Sequence, residues 1–363
     1  MSVKKPCGRC EVLPARPFSK GRLLLSFPLG HSSGKFSRLI EQQGCPIAAE
    51  GDAVSVAVDD AQLHRLVGAM KEMFAPNEMR DTKVLLLDDG EAVDSGAWTR
   101  VESLERLSGR VSGEWVKRLL AEDRLTSVFH PILSLTDPLE IFAYECLMRG
   151  KSPDGVIGPG QILEAARDAD IMFFLDRAAR ITAIREAAKY GVRANLFINF
   201  TPTSIYDPAF CLRTTVAEVE KAGMQHEQVI FEVIESDHIA DVGQLRKILD
   251  FYRDNGFRVA LDDLGAGFSS LNLLHQLKPD FVKLDMALIR EVHTDPYKAV
   301  IAAKLIETAK ALDIQVVAEG VEKAGELDWL RRHGADYVQG FYFTKPGSPP
   351  PLPDPTRLTT RPA

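Results

Sequence analysis

Long apolar runs are missing from this chain. The most apolar early stretch, LLLSFPLG, is short and is broken by Pro28, whereas a spanning helix needs about 20 residues. Lys4, Lys5 and Arg9 precede no long apolar segment, so neither a secretory signal nor a membrane anchor is expected. Cysteine is sparse: five residues, an odd number, scattered over 363 positions. That excludes a dense disulfide framework and fits a reducing cytoplasm. Positive charge is in deficit, with 44 Lys and Arg against 51 Asp and Glu and a formal net charge of −7. A broad basic face for a DNA backbone is thereby excluded. A small phosphate ligand stays compatible, because bound metal ions invert the local field.

The composition is otherwise that of a globular protein, 45% apolar and 26% charged, long enough for two domains. Residues 1–20 are rich in Pro, Lys and Arg and carry a CxxC, Cys7 and Cys10; a flexible segment is expected there. From Gly21 the pattern RLLLSF, SGKFSRLIEQQ, CPIAAEGDAVSVAV, DAQLHRLVGAMKEMF and KVLLLDDG reads as βαββαβ. That order predicts a small α+β, ferredoxin-like domain over 21–112, with the linker placed in 89–113.

Eight strand-like runs follow: SVFHPILSL, IFAYECLMR, NLFINFT, VIFEVIE, RVALDDL, FVKLDMALI, QVVAEGV and YVQGFYF. Helical patterns separate most of them, which predicts a parallel sheet closed into a TIM-type (β/α)8 barrel over 113–346. Only TDPLE separates the first two runs. That is too short for a crossover helix, so the first strand is expected to be antiparallel. The Pro-rich tail, residues 347–363, is expected to be disordered.

Polar groups recur at the ends of these runs: Glu145, Asn199, Glu232 with Glu235, Asp262 with Asp263, Lys283, Glu319 and Gln339. The strand ends of such a barrel converge on one mouth, where active sites are built. Burying that many carboxylates without compensation costs several kcal/mol per ion. Two divalent cations with oxygen ligands, Mg²⁺, Mn²⁺ or Ca²⁺, resolve the problem. Asp262 can bridge them and Asp263 can complete the second site. Gly265 and Gly267 let the chain turn away sharply.

YECLMRG resembles the motif that names the bacterial EAL-domain cyclic-di-GMP phosphodiesterases. FINFTP, FEVIES, LDDLGAGFSSL, FVKLD, VVAEGVE and VQGFYFTKP resemble that family's further motifs, in order. The resemblance implies that Glu145, Asn199, Glu232 and Asp262 hold one metal, and that Asp262, Asp263 and Glu319 hold the other. It implies catalytic roles for Glu145, Asp263 and Glu319, and that Lys283 contacts the attacking water. Leu147, Arg149 and Gln339 are the implied substrate contacts, Arg149 on a phosphate, and Glu235 anchors the loop after the strand that carries Asp262. The implied reaction is hydrolysis of cyclic-di-GMP to linear pGpG with Mg²⁺ or Mn²⁺, inhibited by Ca²⁺, in a cytoplasmic homodimer. Two metals neutralise the phosphodiester, activate water and stabilise the leaving oxygen.

The chain departs from the family pattern at His130, at Cys146 and at Leu264, Ala266 and Phe268. Taken singly, each site residue has an ordinary reading. Asn199 suits a core amide, Lys283 a snorkelling side chain, Arg149 a partner for Asp176, Glu235 a helix cap and His130 a packed ring. A catalytically silent cyclic-di-GMP receptor is the alternative function. A barrel glycosidase needs only a carboxylate pair and would leave the Asn, the Lys and the adjacent aspartates unused. Cys7 and Cys10, with Cys45 or His31, give an incomplete zinc set. The first strand, RLLLSF, lacks the Tyr and AVSVAV lacks the Gln or Asn expected of a flavin site, and no GGDEF motif is present. The effector or partner of the N-terminal domain is left open as sensory or regulatory.

Overall fold

The computed structural model describes residues 19–43, 46–136, 138–234, 242–265 and 270–358. The chain forms two compact units. One comprises Met1–Asp123 with Gly160–Leu175, and the other Arg124–Pro159 with Asp176–Ala363. Cys7, Cys10 and Cys45 lie outside the described residues. No helix among the described residues is long and apolar enough to cross a membrane.

The first unit is built on strands β1 (Lys20–Ser26), β2 (Ile47–Glu50), β3 (Ala53–Asp59), β4 (Lys83–Asp88) and β5 (Glu102–Ser103), with helices α1 (Gly30–Gln43) and α2 (Asp60–Met73). Their order is β2-β3-β1-β4-β5, and every neighbouring pair is antiparallel. This is the split βαβ arrangement expected from the sequence, with one strand added at the edge. Period-two alternation sorts β1: Leu23 and Leu25 face the core with Phe36 and Ile40 of α1 and Leu63 and Val67 of α2, while Leu24 faces away with Leu85 and Leu87. A reciprocal capping box between Asp59 and Gln62 starts α2, satisfying two backbone donors that a helix end leaves open.

The expected linker is not a linker. A helix over Leu104–Ser112 buries Leu104, Leu107 and Val111 in this core. Its glycine permits close packing: a Cβ on Gly109 would lie 2.3 Å from the Asp168 carbonyl oxygen. The apolar spacing inside 104–111 was masked by its surrounding glycines and charges.

The second unit is a closed barrel of β6 (Leu125–Ser134), β7 (Glu140–Ser152), β9 (Asn195–Asn199), β10 (Val229–Ile234), β11 (Arg258–Leu264), β12 (Phe281–Leu284), β13 (Gln315–Ala318) and β14 (Tyr337–Val338), with β8 (Gly155–Ile157) extending β7 as a hairpin. β6 is antiparallel to both β7 and β14, and the remaining barrel pairs are parallel. The antiparallel first strand and TIM-type barrel expected from the sequence are thus present. One layer of the lumen takes one side chain from each strand: Ile132, Ala143, Phe197, Ile230, Ala260, Phe281, Val317 and Tyr337. The larger apolar cluster outside it packs strands against helices and includes Cys146.

The tail differs from expectation over 347–358. Gly347 pairs with Phe129, the Tyr144 hydroxyl donates to the Pro351 carbonyl at 3.1 Å, and Leu139 N–H donates to the Leu358 carbonyl at 3.0 Å. Proline-rich composition signals a chain that cannot form a helix, but its carbonyls still accept bonds.

In the first unit Glu78, 7% exposed, accepts from Lys35 (2.6 Å), Ser32 (2.7 Å) and the Ala75 N–H (2.8 Å). Those bonds, Lys35 foremost, lower its pKa from 4.5 to about 2. A depressed carboxylate contributes stability above its unfolded pKa and loses it as pH falls through the folded one. Glu78→Gln is expected to cost about 2 kcal/mol at pH 7 by chemical denaturation. The gap to the wild type should close between pH 4.5 and about 2.

Candidate functional site

Side chains two apart on a strand share a face. Two positions beyond the apolar lumen layer therefore lies a second inward-facing set: Glu145, Asn199, Glu232, Asp262, Lys283, Glu319 and Gln339, with His130 two positions back on the antiparallel β6. The next layer of the barrel interior is polar on every strand. It faces a cleft of about 470 Å³.

Lys283 stands at its centre, 0% exposed. Its Nζ lies 2.7 Å from Glu319, 3.1 Å from Glu232, 3.2 Å from Asp262 and 3.4 Å from Glu145. The amides hold the acids from behind. Asn199 Nδ2 donates to Glu232 Oε1 at 2.5 Å, and Gln339 Nε2 donates to Glu145 Oε2 at 2.9 Å. Asn199 and Lys283 are thus neither a simple core amide nor a snorkelling side chain.

Asp262 and Asp263 face the same cleft despite being adjacent. Regular alternation would send one of them away, but the β11–β12 register shifts between Leu261 and Leu264. Asp263 takes a left-handed conformation, φ 58°, and Gly265 follows at φ 102°. A bulge of this kind re-aims a side chain, and Asp tolerates the left-handed region better than most residues. The Asp263 N–H donates to Asp262 Oδ1 at 2.9 Å.

The electrostatics follow from one cation among five acids. Burial would lower the Lys283 pKa, but Asp262, Glu145, Glu232 and Glu319 together hold it well above its ordinary value. Burial drives Glu232 and Glu319 well above theirs, against the pull of Lys283. Burial raises Asp262 as well, and burial with the Asp262 charge pushes Asp263 up to about 6. Burial also acts to raise Glu145, but Lys283, Gln339 and His130 outweigh it and leave the group below its ordinary value.

Two trios of carboxylates have oxygens all within 4.8 Å of one another: Glu145, Glu232 and Asp262, and Asp262, Asp263 and Glu319. They share Asp262. Glu232 Oε2 is fully buried and accepts no aligned hydrogen bond among the described residues, although Lys283 Nζ is near. All-oxygen donors with excess negative charge fit hard divalent cations.

Leu147 and Arg149 line the cleft with Gln339. Arg149 Nη1 donates to the Met148 carbonyl at 2.7 Å. Asp176 pairs instead with Arg180. Glu235, Ala266 and Phe268 lie outside the described residues. His130 is packed as expected, yet it also lines the cleft, its Nε2 has no hydrogen-bond partner among the described residues, and burial lowers its pKa. Asp285, Met286, Arg290, Phe341 and Pro346 also line the cleft and were not foreseen. A signal for three of them was present: Asp285 and Met286 follow the Lys283 strand directly, and Phe341 lies two residues past Gln339.

Residues 114–346 match the EAL domain family. Cyclic di-GMP phosphodiesterase PdeR of Escherichia coli is 28% identical over 236 residues, 64% of this chain and 35% of that protein. The blue light- and temperature-regulated antirepressor BluF of the same organism is 30% identical over 221 residues, 60% of this chain and 53% of that protein. The chain thus spans from about a third to about a half of the length of these two curated relatives. Among solved structures, a standalone EAL protein from Vibrio cholerae in its c-di-GMP bound form is 36% identical, with a TM-score of 0.58. The likeness covers 64% of this chain and 96% of that one.

The charge balance yields a prediction. Lys283→Met strips the one cation that, among the described residues, is paired with these four carboxylates, and is expected to cost about 3–5 kcal/mol in EDTA, read from urea melts. Mn²⁺ should return part of the loss. Wild-type stability in EDTA would mean that the acids are compensated by something other than Lys283.

Proposed function

The chain belongs to the EAL domain family, and from that premise we propose that it is a metal-dependent phosphodiesterase that opens cyclic di-GMP to linear pGpG. The observation that carries this reading is the pair of carboxylate trios sharing Asp262. A binding module has no need of so many uncompensated acids in one lumen layer.

Glu145, Asn199, Glu232 and Asp262 would hold one divalent cation, Mg²⁺ or Mn²⁺, and Asp262, Asp263 and Glu319 the second. When bound, the pair supplies Lewis-acid neutralisation of the phosphodiester and a nucleophile at neutral pH. The chain's own residues do the rest. Arg149, at the cleft wall, offers a guanidinium fork to a phosphate oxygen. Leu147 presents an apolar surface on the same wall. Lys283, whose Nζ lies 2.7 Å from Glu319 and 3.1 Å from Glu232, would add a point charge that orients the attacking water or helps to deprotonate it. Gln339 and Asn199 hold Glu145 and Glu232 by hydrogen bonds, which fixes the direction in which those oxygens point.

The test is direct. Purified protein is incubated with cyclic di-GMP and Mg²⁺ or Mn²⁺, with Ca²⁺ and EDTA controls, and products are separated by chromatography. Metal-dependent pGpG supports the enzyme. Tight binding without turnover would make the protein a receptor. Glu145→Ala and Asp262→Asn are each expected to lower turnover by more than about a hundredfold, since losing even an outer-shell partner costs up to that much. Wild-type rates in either variant would refute the assignment.

A further inference from the structure

The segment after the family match, Gly347–Leu358, is bound along the barrel. Its place is set by a mismatch of strand lengths. β6 has ten residues, whereas β14 has two and pairs only with Leu133 and Ser134. The edge of β6 opposite β7 is therefore left without β14 before Leu133, a stretch that includes Phe129. Gly347 fills that gap: the Phe129 N–H donates to the Gly347 carbonyl at 2.8 Å, and the Gly347 N–H returns to the Phe129 carbonyl at 3.0 Å. Backbone groups buried in a barrel wall require such partners. The next residue of β6 is His130, which lines the cleft.

The segment then bonds to the stretch of chain that follows β14. The Asp354 N–H donates to the Phe343 carbonyl at 3.0 Å. Arg357 Nη1 donates to the Tyr342 carbonyl at 2.8 Å, and its guanidinium sits 4.4 Å from the Tyr342 ring centroid. Tyr342 and Phe343 directly follow Phe341, which is 51% exposed in the cleft. The Phe341 ring lies 5.9 Å from the His130 ring and 5.8 Å from Lys345 Nζ. Phe341 is a large apolar surface held in a polar cleft, and the backbone that aims it is tied down by residues more than ten positions later.

We infer that Gly347–Leu358 is a strap that positions the Phe341–His130 wall for the ligand, acting on ligand affinity and not on the carboxylate trios. The inference rests on the proposed cyclic di-GMP site. Its physical basis is pre-organisation: a wall ordered in advance loses less freedom when a ligand docks. The trios stand on β7, β10, β11 and the end of β13, and the strap's hydrogen bond to these strands runs from the Tyr144 hydroxyl to the Pro351 carbonyl.

The experiment uses the full chain. Cyclic di-GMP binding is measured by calorimetry with EDTA and again with Ca²⁺, for wild type, Arg357→Ala and Arg357→Lys. Melting temperature and its rise with Mn²⁺ are recorded in parallel. Arg357 is an exposed residue, so its loss leaves folding intact. Arg357→Ala should raise the Kd by about three- to thirtyfold, the range of a coupling that acts through intervening residues. Melting temperature and the Mn²⁺ response should stay unchanged, and Arg357→Lys should recover most of the affinity. Equal Kd values in wild type and Arg357→Ala overturn the strap's role while leaving the function intact. A fall in melting temperature at unchanged Kd makes the strap structural only. No binding by the wild type overturns the strap together with the site reading.

Discussion

A single buried ammonium surrounded by carboxylates is the constraint on which the second unit turns. Lys283 cannot neutralise Glu145, Glu232, Asp262 and Glu319 alone. Glu232 is fully buried and the other three acids are at most 17% exposed at the cleft, and Asp262 lies close enough to the others to repel them. In such an enclosure the desolvation cost is met by partners or not at all. The two amides serve by fixing oxygen positions, yet they carry no charge. All-oxygen donors with such a surplus of negative charge are the kind of set that suits hard divalent cations.

The barrel delivers those groups by counting. Parallel strands place one side chain each in a lumen layer, and the layer above comes two residues later. The apolar layer from Ile132 to Tyr337 acts as a floor for the polar one. This is why much of the site was legible in the sequence. Seven of the eight strand-like runs carry an apolar residue, a spacer and a polar residue. Residues as distant as Glu145 and Gln339 came out bonded to each other. The N-terminal sheet was legible for the same reason, since Leu23, Leu24 and Leu25 divide between two faces that the βαββαβ order supplies.

What was not legible depended on irregular backbone. No periodicity announces that Asp263 adopts φ 58°, so alternation alone sends it to the wrong side of β11. The helix at Leu104–Ser112 was hidden because its few apolar residues sit among glycines and charges. The strap was hidden because its ordering comes from edges that other strands leave open, and strand length is the poorest quantity to read from composition. The cleft wall at Met286 and Phe341 belongs to a one-turn helix and a turn beyond the strands, whose course is set by packing and not by period.

The register shift in β11 has an implication for how such a site changes over generations. Adding a carboxylate to a barrel interior normally requires a new acidic residue on another strand, with a new set of neighbours to satisfy. Here the second acid arrives through one extra backbone step, beside an acid already in place. Loss of a single codon at that bulge would restore regular pleating and withdraw one oxygen donor while every other acid stayed in position. The number of carboxylates the cleft can offer is thus written in the length of the chain between Leu261 and Leu264.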